Sequence, residues 1–109
     1  MQTIVQVYCK AGPSLREAIG SYRRISRYSL QVTKQKSPGR QHGWAKIHST
    51  RKGPRGAMNL AWDATTNILT GRVITKGKSR PNRLIADFVD FLLGSRFKSR
   101  VKAIHVIAK

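Results

Sequence analysis

The sequence predicts an α+β domain: a mostly antiparallel sheet of about five to six strands with two helices packed on one face, ordered β-α-β-β-β-β-α-β. Three observations lead there. Apolar residues recur at every second position in short stretches such as 3–9, 28–33 and 58–62, they recur at helical spacing in two others, and clusters of Gly, Pro and Ser separate the stretches. The 109 residues suit one compact domain spanning 1–109. Of these, 26 are Leu, Ile, Val or Phe, more than the roughly one-fifth below which a highly charged chain stays disordered.

Each element follows from its local pattern. Residues 3 to 9 alternate, which sends Val5, Val7 and Cys9 to one side of a first strand. Ala11-Gly12-Pro13-Ser14 breaks it, and Ser14 with Glu17 three residues on makes a capping box at a helix start. Leu15, Ala18, Ile19 and Tyr22 continue at helical spacing toward Ile25, leaving Arg16, Arg23, Arg24 and Arg27 mostly toward solvent. Gly20 weakens this helix by about 1 kcal/mol relative to alanine. From Tyr28 the period changes to two, through Leu30 and Val32. Lys34 to Gly43 reads as a long hairpin loop, and Trp44 to Thr50 as the third strand. After a break at 51 to 56, Met58, Leu60 and Trp62 alternate in a fourth strand. Asp63 to Thr66 makes a turn and Ile68 to Thr75 a fifth strand. Pro81 opens the second helix, whose stripe is Leu84, Ile85, Phe88, Val89 and Leu92. Arg83 and Asp87, four apart on its outer face, are expected to pair, and Gly94 to stop it. Val101 to Ala108, rich in β-branched residues, is the last strand.

Charge narrows the function. Lys and Arg number 22 against 4 Asp and Glu, a formal net charge of +18. Such a surface attracts polyanions: nucleic acid first, an anionic membrane or an acidic protein second. Solubility alone is served by either sign and by mixtures, so it does not account for this imbalance. No run reaches the ~18 apolar residues of a membrane span, and no basic amphipathic helix offers a large apolar face, so no membrane partner is expected. The alternating N-terminus is unlike a secretory leader, and the single cysteine supplies neither a disulfide framework nor a cysteine zinc site. A cytoplasmic location is the default.

Catalytic groups are scarce, and no catalytic residue, metal site or cofactor is expected. The acids are Glu17, Asp63, Asp87 and Asp90, each accounted for by a cap, a turn or a helix surface. His42, His48 and His105 show no ligand spacing. Gly77-Lys78-Ser79 matches the end of a P-loop, but Arg72 stands where that motif needs its first glycine. What survives is a phosphate-friendly helix start beside Lys78 and Arg80.

The main constellation is a set of basic loops. Lys34, Lys36 and Arg40 fall in the first; Arg51, Lys52 and Arg55 in the second; Lys76, Lys78 and Arg80 before the second helix; Arg96, Lys98 and Arg100 after it. All accompany Gly, Ser or Pro, which let backbone approach a phosphate closely. In a meander the 51 to 56 and 76 to 80 loops share one end of the sheet. Tyr28, Trp44 and Trp62 either stack on bases or pack beneath the helices, and Phe97 between cations is an exposed stacking candidate. The expected function is non-enzymatic nucleic-acid binding, to DNA or RNA, by a monomer or dimer. The alternatives are a basic module docking an acidic protein partner and a metal-independent ribonuclease using His42 or His48.

Overall fold

Period-two patterning resolves into strands and helical-period patterning into α-helices in the computed structural model, which describes residues 2–35, 44–51, 56–75 and 82–108. In chain order the described elements are β1 (Gln2–Cys9), α1 (Leu15–Gly20), a first 3-10 helix (Arg23–Tyr28), β2 (Leu30–Gln35), β3 (Trp44–Ser49), β4 (Gly56–Asp63), β5 (Ile68–Thr75), α2 (Asn82–Gly94), a second 3-10 helix (Arg96–Arg100) and β6 (Val101–Ala108). The strands form one six-stranded sheet in the order β2-β3-β4-β5-β1-β6. Every neighbouring pair is antiparallel.

Register explains the core. Directly opposed residues share a face, so Val32, Ile47, Met58, Val73 and Thr3 form one row across five strands. Ala45, Leu60, Gly71, Val5 and Val106 form the next. This face meets Leu15 and Ile19 of α1, Ile25 of the first 3-10 helix, Leu84, Phe88, Phe91 and Leu92 of α2, and Phe97 of the second 3-10 helix. The described helices therefore pack on one side of the sheet, as the pattern predicts. Among the described residues, no helix is long and apolar enough to cross a membrane.

Four local expectations need correction. The first helix does not run to Ile25. It stops at Gly20, Tyr22 is extended, and a separate 3-10 turn carries Ile25 into the core. Gly20 lowers the propensity there, and the aromatic rings of Tyr22 and Tyr28 are drawn onto Phe91, at centroid distances of 5.8 and 5.4 Å. Tyr28 accordingly ends that turn instead of opening a strand, and Ser29, left-handed at φ 61°, redirects the chain into β2. Phe97 is buried, edge-on to Tyr22 at 5.2 Å, and cannot serve as an exposed stacking residue. The fourth correction concerns Asp87. It is buried on the inner side of α2, so it pairs not with Arg83 on its own helix but with Arg51, beyond β3. Arg51 Nε donates to Oδ2 at 2.7 Å and Nη2 to Oδ1 at 3.1 Å, the two-pronged geometry a desolvated carboxylate favours.

The Ser14 half of the capping box and the Asp63 turn hold. Glu17 N donates to Ser14 Oγ at 3.3 Å. Asp63 Oδ1 accepts from the backbone of Thr65 at 2.9 Å and Thr66 at 3.4 Å, while Asn67 takes the left-handed turn position at φ 57°.

Candidate nucleic-acid interface

The basic loops are met only in part by the described residues. Lys36, Arg40, Lys52, Arg55, Lys76, Lys78 and Arg80 lie outside them, as does His42. Lys34 is described as a backbone position of β2 opposite Ala45. The strand ends that flank the loops are described. Gly56 pairs with Thr75, so segments 52–55 and 76–81 attach at the same end of the sheet. Gln35 pairs with Trp44, opposite to that end, so segment 36–43 attaches elsewhere.

The four loop cations whose side chains are described divide two and two. Arg51 is held by Asp87, whose hydrogen bond first and charge second push the guanidinium pKa above its ordinary value. Arg100 clamps the segment after β1: it donates to the Lys10 carbonyl at 3.1 Å and the Pro13 carbonyl at 3.0 Å, and lies 5.9 Å from the Trp62 ring centre. Both guanidinia have structural partners. Arg96 and Lys98 are exposed.

Arg96 belongs to a larger assembly. Arg23, Arg24 and Arg27 of the first 3-10 helix face it across a groove of about 610 Å³, whose walls include Tyr22 and Tyr28. Arg96 lies 5.3 Å from the centre of the Tyr22 ring, a cation–π arrangement that limits where its guanidinium can point. The scaffold beneath is stiff: Phe91 touches Phe88, Phe97, Tyr22 and Tyr28, which ties α2 to both 3-10 helices. A Cβ on Gly94 would sit 3.2 Å from the Tyr28 hydroxyl, a tight approach that the tyrosine would have to relieve by a few tenths of an ångström. The end of α2 brings a partial negative charge of roughly half a unit. Four guanidinium groups outweigh it, and no carboxylate joins them among the described lining residues.

Sequence patterning placed Arg23, Arg24 and Arg27 on the solvent side of a continuing helix, and so missed them as a site. The run Tyr22-Arg23-Arg24-Ile25-Ser26-Arg27-Tyr28 held a usable signal, because two tyrosines bracket three arginines around one apolar residue. The aromatic question is answered for two of its three residues. Tyr28 packs on Phe91, and Trp62 lies on the core face opposite Leu69. Trp44 is described only as a backbone position.

Other chemistries gain little from the geometry. Among the described residues no group of three or more His, Cys, Asp or Glu is placed to hold a metal ion. His48 on β3 and His105 on β6 are four strands apart, roughly 19 Å at the usual strand spacing, too far to share a proton-transfer step. Cys9 is buried and donates to the Val7 carbonyl at 3.4 Å; burial pushes its pKa up, against the opposing charge of Arg100. No protein-family model, curated protein or solved structure matches the chain.

Proposed function

We propose that this protein is a non-enzymatic nucleic-acid-binding domain that holds the phosphate backbone in an arginine-lined groove. The observation that carries the proposal is the convergence of Arg23, Arg24, Arg27 and Arg96 on one concavity with no carboxylate among its described lining residues. Guanidinium forks match phosphate oxygens in pairs, and such contacts position a ligand without reading its sequence. The Tyr22 and Phe97 rings restrain the Arg96 fork before binding, which limits its ordering cost. Lys52, Arg55, Lys76, Lys78 and Arg80 would extend the grip from the sheet end where their segments attach. A cytoplasmic location goes with this reading, as does a thiol that has no cysteine partner.

Fluorescence anisotropy with labelled DNA and RNA oligonucleotides at a series of salt concentrations tests the proposal. Binding is expected at low salt, with log affinity falling linearly against log salt. Replacing all four groove arginines with alanine should weaken binding strongly and flatten the slope by about 1 for each phosphate no longer neutralised. Arg83→Ala, exposed on α2, should change little. A protein that binds no oligonucleotide at low salt, or a quadruple variant that binds like the parent, overturns the assignment. Capture of an acidic protein that persists after nuclease treatment would instead favour the protein-docking alternative.

A further inference from the structure

The side of the sheet away from the helices bears its own chemistry. Register lays it out in rows. Thr33, Lys46, Asn59, Arg72, Ile4 and Ile107 cross all six strands. Beside them run Ala61, Thr70, Gln6 and His105, and then Asp63, Ile68, Tyr8 and Ala103. No described helix covers this face, where Gln31, Thr33, Asn59, Ala61, Arg72 and His105 are exposed.

Resting on the nucleic-acid reading above, we infer that this open face is a stacking platform that makes the protein prefer single strands, with Tyr8 and His105 receiving unpaired bases. The two rings sit side by side on neighbouring strands, 4.9 Å between centroids and tilted by 58°. The Tyr8 hydroxyl donates to Gln6 Oε1 at 3.4 Å, two residues back on the same strand, so the ring leans along β1 instead of standing away from it. Ala103 and Ala61 keep the surrounding relief low. Arg72, Lys46 and His48 share the face, while its corner acid, Asp63, has its carboxylate turned to the amides of Thr65 and Thr66. A low surface with two adjoining rings and cations close by suits unstacked bases and their phosphates. A duplex offers it little, because paired bases conceal their ring faces.

The test compares oligo(U), oligo(dT) and a duplex hairpin by anisotropy, for the parent, Tyr8→Ala, Tyr8→Phe, His105→Ala and the quadruple groove variant. Expected results are tighter binding of the single strands by the parent, about tenfold weaker single-strand binding by Tyr8→Ala and by His105→Ala, and unchanged duplex binding. Tyr8→Phe, which keeps the ring and loses the hydroxyl, should retain single-strand affinity. The groove variant should lose both ligands alike. If the parent binds duplex as well as single strands, and neither Tyr8→Ala nor His105→Ala alters single-strand affinity, the platform is overturned while groove binding stands. If the parent binds none of the three probes, the nucleic-acid assignment itself fails. Thermal melts of each variant separate a missing ring from a disrupted fold, and His105→Ala, at an exposed position, keeps the inference open to refutation should Tyr8→Ala unfold.

Discussion

Gly71 lies in the inner row of β5 between Leu60 and Val5, and a Cβ there would come within 2.5 Å of Met58 Sδ and 2.9 Å of its Cγ. Met58 is fully buried, so the thioether has little room to withdraw. Gly71→Ala should cost about 1–3 kcal/mol by overpacking, read as a lower urea midpoint with unchanged slope. Cys9 gives a second expectation at this scale. Its folded pKa is raised above the ordinary 9.0, chiefly by desolvation. The associated stability is therefore complete below pH 9.0 and is lost as pH rises from there through the folded value. Urea midpoints at neutral and alkaline pH should fall further for the parent than for Cys9→Ala, whereas equal falls would show that the thiol does not contribute.

At the scale of elements, strands were the more legible class. Alternation marks β4 plainly, since Met58, Leu60 and Trp62 fall on one face and turn residues bound the run, while β-branched residues mark β6. α2 was equally legible from its stripe and the glycine at its end, although Phe91, the centre of the aromatic cluster, escaped notice. The failures share one cause, namely partners distant in sequence. The first helix breaks where Tyr22 and Tyr28 reach Phe91, and Asp87 selects Arg51, 36 residues away, over Arg83 at one helical turn. The arginine groove was hidden for the same reason, because Arg96 joins the 23–27 cluster only after α2 has folded over. Arg51→Ala should consequently lower Tm by leaving a buried carboxylate without its partner, while Arg83→Ala should leave Tm unchanged, as measured by circular dichroism melts. The reverse pattern would restore the pairing expected from helical spacing.

At the scale of the molecule, charge and fold divide the two faces of one sheet. The apolar face is consumed by helices, and the helical layer in turn holds the groove arginines at its surface. The opposite face is uncovered among the described residues and mixes polar side chains with Ile4, Ile68 and Ile107, with Tyr8 and His105 near the β6 edge. A ligand long enough to reach both would have to pass around an edge of the sheet. The charge imbalance was plain from composition. Its division between groove and platform was not, because it depends on strand register and on how α2 crosses the sheet.

β1 lies between β5 and β6, so Val5 meets Gly71 on one side and Val106 on the other. During translation, β1 must therefore wait for β6, made some ninety residues later, before its backbone is fully paired. Closing so wide a loop is entropically slow compared with forming the β4–β5 hairpin. A nascent chain halted before residue 101 would leave β1 as an unguarded sheet margin, ready to recruit a strand from another copy.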